Sequence, residues 1–120
     1  MHMEISVNRK LKIYGITTLA LLLLAGIVSA STESHALVTK GISLANSKQY
    51  DDAISNFNRA ISLDPQNAEA WYFKGLALTQ DFKIKEANAA FDRAFLLNPN
   101  YSNYYISKGF GLYKQGKQAR

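Results

Sequence analysis

The side chains of this 120-residue chain that could do acid–base, nucleophilic or metal chemistry are few and scattered. Cysteine is absent, which removes disulfides, thiolate metal sites and a cysteine nucleophile, and leaves the redox compartment open. The histidines are His2 and His35. A metal ligand needs convergent partners, and His35 has none in its neighbourhood of the sequence. Asp51 and Asp52 are adjacent, so on a helix their carboxylates diverge by about 100°. They suit the first turn of a helix, where the dipole favours acid, better than a catalytic pair. A glycine-rich phosphate loop and a nucleophile elbow are both missing. The inventory points away from an enzyme, a resident metal or a cofactor, and toward a function carried by surface.

The formal net charge is +5, and Arg9, Lys10 and Lys12 near the start supply part of it. From residue 31 onward there are 11 basic and 8 acidic residues, interspersed. Nucleic-acid binding would be expected to show a clustered basic stripe. This pattern reads instead as a solvated surface of mixed sign.

The same three basic residues precede an uncharged run from Ile13 to Thr32 that contains LALLLLAGIV. Val28-Ser29-Ala30 then offers the small residues after which a signal peptidase cuts, placing a new N-terminus at Ser31. Residues 1–30 are therefore a signal peptide or an N-terminal signal anchor. A retained anchor needs about 20 largely apolar residues to cross a bilayer. The uncharged run over residues 13–32, with polar Thr17, Thr18 and Ser29 in it, is barely long enough. A weaker cut after Ala36 would remove the start of the first repeat described below. In either case the basic residues hold the N-terminus in the cytoplasm. The rest of the chain is then expected outside, in the periplasm, secreted or on the outer membrane face. Residues 31–34, STES, read as a short polar linker, with Ser34 a candidate helix cap.

Beyond the leader a unit of 34 residues recurs. Gly41, Leu44, Ala53, Phe57, Arg59, Ala60, Leu63 and Pro65 fall over Gly75, Leu78, Ala87, Phe91, Arg93, Ala94, Leu97 and Pro99. Trp71, Gly75 and Leu78 lie at i, i+4 and i+7, one face of a helix, and Ala87, Phe91 and Ala94 repeat that spacing in a second. The glycine and alanine allow close backbone approach, and the aromatic residues fill the space beside them. Proline ends each second helix by steering the preceding residue out of the α region. The pattern predicts helices over about 35–46, 51–63, 68–80, 85–97 and 102–115. Each hairpin alone cannot bury its apolar face, so neighbours must stack.

These residues resemble the tetratricopeptide repeat. The family's pattern falls on Trp71, Lys74-Gly75, Leu78, Ala87, Phe91, Ala94 and Pro99, and in the preceding copy on Leu37, Lys40-Gly41, Leu44, Ala53, Phe57, Ala60 and Pro65. Departures are Lys where Leu is commoner before the glycine, Leu for the following Tyr, Leu37 for the aromatic, and Phe82 where a loop glycine is usual. Gly116 matches at that loop position. The resemblance implies an all-α superhelix of helix-turn-helix repeats over residues 35–120. Its repeats are at about 34–67 and 68–101, two full hairpins, with one terminal helix in a partial copy at 102–120.

It also implies a concave groove lined by the first helix of each hairpin. Carried over by register, that groove holds Val38, Ile42 and Asn46, then Tyr72, Phe73, Leu76 and Gln80, then Ile106, Phe110 and Tyr113. His35, Ala45, Glu69 and Thr79 fall beside them. The surface is apolar and aromatic, suited to a peptide or an amphipathic helix of a protein partner. Members that grip chaperone C-termini use Lys and Asn at positions occupied here by Val38, Ile42, Phe73, Asn103 and Ser107, so that clamp is absent. In the partial copy, Tyr105 and Leu112 lie where a second helix would cover them. The leading expectation is an exported, non-catalytic interaction module. The alternative is a structural element that self-associates through this third helix into a homo-oligomer.

Overall fold

The computed structural model describes residues 2–100, 109, 111–114, 116 and 117. It divides into two compact units, Met1–Ala30 and Ser31–Arg120. In the first unit residues 6–30 are helical and carry Leu19, Leu21, Leu22, Leu23, Leu24, Ile27 and Val28 exposed. That helix is long and apolar enough to cross a membrane by length and composition.

The second unit is built from helices. They are the C-terminal part of α1 (His2–Asn46), then α2 (Tyr50–Leu63), α3 (Ala68–Gln80) and α4 (Ile84–Leu97), with helical residues again at 111–114. Helices α2 and α4 begin and end 34 residues apart, and α1 and α3 end 34 apart, at Asn46 and Gln80. The expected boundaries agree to within a residue over 46–97. The fifth helix, about 102–115, falls mostly outside the described residues.

Each hairpin closes on one glycine and one phenylalanine. A Cβ added at Gly41 would stand 2.5 Å from Phe57 Cε1, and one at Gly75 would stand 2.5 Å from Phe91 Cε1. Both rings are fully buried, together with Ala53, Ala60 and Ala87, and with Ala94 almost so. Helix α3 packs against both α2 and α4, so hairpins share it as a common wall. Ala70 and Ala77 of α3 accordingly join Leu37, Val38, Ala53, Phe57 and Ala60 in one core cluster, while Leu78, Ala87, Ala90 and Phe91 form a second.

Local chemistry sets the turns. Helices α2 and α4 stop where Asp64 and Asn98 turn extended, at φ −139° and −144°, ahead of Pro65 and Pro99. Within each hairpin, α1 and α3 end in a six-residue C-terminal motif. Gln49 N–H donates to Leu44 O and Lys83 N–H to Leu78 O, both at 2.9 Å. This motif needs a left-handed residue, and glycine supplies it at least cost. Here Lys48 and Phe82 do so, each at φ 62°.

The reading of residues 31–34 as a linker with a cap at Ser34 is corrected. They are helical, inside α1, and Ser34 is fully buried. Its hydroxyl donates to Ala60 O at 3.0 Å and accepts from Asn67 Nδ2 at 2.9 Å. Asn67 in turn caps α3, its Oδ1 accepting from Ala70 N–H at 3.1 Å. A buried polar side chain must find partners. Ser34 finds them across the first hairpin, and so it fastens α1 to the end of α2 and the start of α3.

Candidate partner-binding groove

The turn of α1 that carries Ile42, Ala45 and Asn46 faces the turn of α3 that carries Phe73, Leu76, Ala77 and Gln80. Between them lies an open groove of about 430 Å³, with Phe57 and Tyr50 of α2 as floor and wall and Lys48 at the turn. Phe73 stacks on Phe57, ring centroids 6.4 Å apart, and Tyr72 meets Phe73 edge-on at 5.5 Å. These contacts hold Phe73 with one face in the core and the other available. Five residues expected in the groove, Ile42, Asn46, Phe73, Leu76 and Gln80, line it together.

The others are placed differently. Val38 is 1% exposed and belongs to the core, because α1 is covered by both α2 and α3 at that level; its groove assignment is corrected. Tyr72 is half-buried and leans on Phe91, centroids 5.8 Å apart, inside the second cluster and away from the groove lining. Thr79 is buried, with its hydroxyl on Gly75 O at 2.9 Å. His35 Nδ1 stands 3.5 Å from Glu69 Oε2 at the exposed surface. Leu112 and Tyr113 are 54% and 61% exposed. Ile106, Phe110 and the self-association candidate Tyr105 lie outside the described residues.

Lys48, Tyr50, Phe57 and Ala77 are groove residues that register alone missed. Lys48 and Tyr50 belong to the turn after α1 and the start of α2, and the expectation had considered first helices only. One available signal was that Lys48 occupies the loop position of Phe82, 34 residues earlier.

Charge around the groove is uneven. Lys48 is exposed and is, among the described residues, the single charged one in the lining. Lys83 holds Asp81 at 2.7 Å and Asp51 at 3.3 Å. Those hydrogen bonds, Asp81 first, raise its pKa above the ordinary lysine value. Lys114 Nζ donates to Gln80 Oε1 at 2.9 Å and lies 4.9 Å from the centre of the Phe82 ring. A second, shallower cleft lies between α3 and α4, lined by Trp71, Lys74, Glu86, Ala89, Ala90 and Arg93. Lys74 sits over the Trp71 ring at 5.3 Å, and burial lowers its pKa, with Glu86 opposing.

Profiles described as "TPR repeat" and "Tetratricopeptide repeat" match residues 43–81 and 68–101. Among solved structures the chain is similar to the second TPR of Spaghetti (RPAP3) bound to the HSP90 peptide SRMEEVD. That likeness has a TM-score of 0.67 at 24% identity, covers 72% of this chain and 81% of that one, and bears on the fold alone. No curated protein matches. The 34-residue period, the paired Gly–Phe contacts and the shared wall at α3 are those of a helical-repeat interaction scaffold. This protein-interaction module belongs to the tetratricopeptide-repeat family.

Proposed function

We propose that this protein is an exported interaction module whose groove between α1 and α3 holds an apolar peptide or amphipathic helix of a partner. The observation that carries the reading is the groove itself. Ile42, Phe73 and Leu76 remain partly exposed there while every neighbouring core position is closed. An amphipathic segment would cover them with side chains at i, i+3 or i+4, and i+7. The chaperone-peptide mode of the structural relative is not the one proposed. Of the positions that would supply its cations, Val38 is buried and Ile42 and Phe73 are apolar.

The test uses the full chain in detergent against an array of amidated 12-residue peptides carrying Leu or Phe at those spacings. Retention by the wild type should fall at least tenfold in Ile42→Glu and Leu76→Glu and persist in Lys85→Glu. Emission from the single tryptophan, Trp71, reports that each variant is folded. Retention unchanged in both groove variants would overturn the reading.

The export half rests on the exposed apolar helix behind Arg9, Lys10 and Lys12. It is checked by protease accessibility of the repeats in intact cells. Sequencing the mature N-terminus distinguishes cleavage after Ala30 from retention as an anchor. A cut after Ala36 would delete the buried Ser34 and its bonds to Ala60 and Asn67, so it is not expected.

The exposure of Leu112 favours a second reading, self-association through the last helix. Sedimentation equilibrium of the chain should then show a concentration-dependent mass that Leu112→Asp removes.

A further inference from the structure

The groove's apolar lining says what its occupant buries; its charge says what else the occupant carries. Resting on the groove reading above, we infer that the occupant is a segment with a side-chain carboxylate beside its apolar residues, placed against Lys48. Three observations converge on that lysine.

Among the described residues, Lys48 is the only charged one in the groove lining. It is also a cation that no carboxylate neutralises among the described residues. The nearest acidic residue in sequence, Asp51, is engaged by Lys83, which takes Asp81 as well. Lys114, at the Gln80 edge, is held by Gln80 and by the Phe82 ring. Among the described residues, the rim therefore presents one free ammonium group to an incoming chain. Complementary charge sets register and discriminates between partners.

The third observation is the backbone. Lys48 sits at φ 62°, in the left-handed region, at the position of the helix-ending motif that glycine fills at least cost. A side chain there is tolerated against local preference. Residues held so tend to occur where the side chain has a task. The turn aims the chain from α1 into Tyr50, and the residues two positions to either side, Asn46 and Tyr50, line the same groove.

The experiment is the same peptide array with each sequence made in three versions, Glu, Gln and Lys at one solvent-side position. All peptides are amidated, so that no terminal carboxylate competes. For the full-length wild type the Glu version should be retained about 3–5-fold better than the Gln version, and the Lys version worst. The preference should fade between 0.15 M and 0.5 M salt, since an exposed pair is screened over about a Debye length. Lys48→Gln and Lys48→Gly should both bind Glu and Gln versions alike. The glycine variant relieves the left-handed lysine, so loss of preference there cannot be blamed on unfolding. Equal retention of Glu and Gln versions by the wild type overturns this inference and leaves the groove reading standing, provided Ile42→Glu still abolishes retention. Retention that survives Ile42→Glu, or no retention of any peptide, overturns both. A concentration-dependent mass lost in Ile42→Glu would make a second copy the occupant, and would overturn the acidic-segment inference too.

Discussion

Replacing Gly75 with alanine tests the packing on which the hairpin rests, because local and tertiary terms oppose each other. Gly75 lies inside α3, where alanine is favoured over glycine by about 1 kcal/mol on helix propensity. Propensity alone therefore predicts a more stable protein. The added Cβ, however, would stand 2.5 Å from Phe91 Cε1, 2.7 Å from Cδ1 and 2.9 Å from Cζ. Carbon atoms attract at about 3.5–4.0 Å, so three ring atoms would overlap by roughly an ångström at once. The Phe91 ring is fully buried among Leu78, Ala87 and Ala90 and has no open direction in which to turn. Relief must come from moving α3 off α4 or from an off-rotamer ring, at the upper end of the 1–3 kcal/mol range for overpacking. Taking about 3 kcal/mol and subtracting the propensity gain leaves a net loss of about 2 kcal/mol. With a urea m-value near 1–2 kcal/mol/M, the midpoint followed by Trp71 emission should fall by about 1–2 M. Gly109→Ala is the internal control, since no heavy atom lies within 4 Å of its added Cβ among the described residues. It should gain stability or leave it unchanged. In a Phe91→Leu background the Gly75→Ala penalty should shrink, giving a coupling energy of about 1–2 kcal/mol. A Gly75→Ala protein as stable as the wild type would refute the close Gly–Phe approach.

Four further outcomes follow from particular contacts. Ser34→Ala should destabilise the chain by about 1–3 kcal/mol in urea titration, because it leaves Asn67 Nδ2 and Ala60 O without their buried partner. Lys48→Gly should gain about 0.5–1 kcal/mol, the left-handed penalty less the flexibility of glycine. Phe82→Gly should gain almost nothing, because it also removes the ring beneath Lys114. The pKa of Lys83 is raised by Asp81 and then Asp51, so its stabilising contribution is complete below the ordinary lysine value. That contribution should be lost as pH rises through the raised value, with the Lys83 ammonium titrating above the ordinary lysine value by NMR.

The all-α repeat and its helix boundaries from 46 to 97 were legible because the same side chains must solve the same contact twice. Gly41 and Gly75, Phe57 and Phe91, Ala53 and Ala87 recur since a hairpin of this closeness tolerates little else. Ser34 was not legible. A serine in a polar tetrapeptide after an apolar run carries no sign that Ala60 and Asn67 lie beside it, and only the tertiary fold supplies those partners. Val38 was misplaced for a related reason. Register gave the face of one helix, whereas burial depends on how far α3 wraps over α1.

The groove was harder to read for the converse reason: several of its positions are those where the two copies differ. Ile42 and Leu76, and Asn46 and Gln80, stay alike, whereas Lys48 and Phe82, and Tyr50 and Ile84, are register mates of unlike chemistry, and Phe73 has only Thr39 as its counterpart. The internal comparison that exposes the core is silent there, because what stacks hairpins is common to every hairpin and what holds a partner is not. It follows that the surface one repeat further on, with Phe82 where Lys48 stands, is not a second copy of the same site. A partner that places a carboxylate against Lys48 would meet an aromatic ring and an engaged Lys114 at the corresponding point of the next repeat. Exchanging Lys48 and Phe82 should therefore abolish the preference for acidic peptides at this groove, because position 48 would then present a ring and no cation to the bound segment.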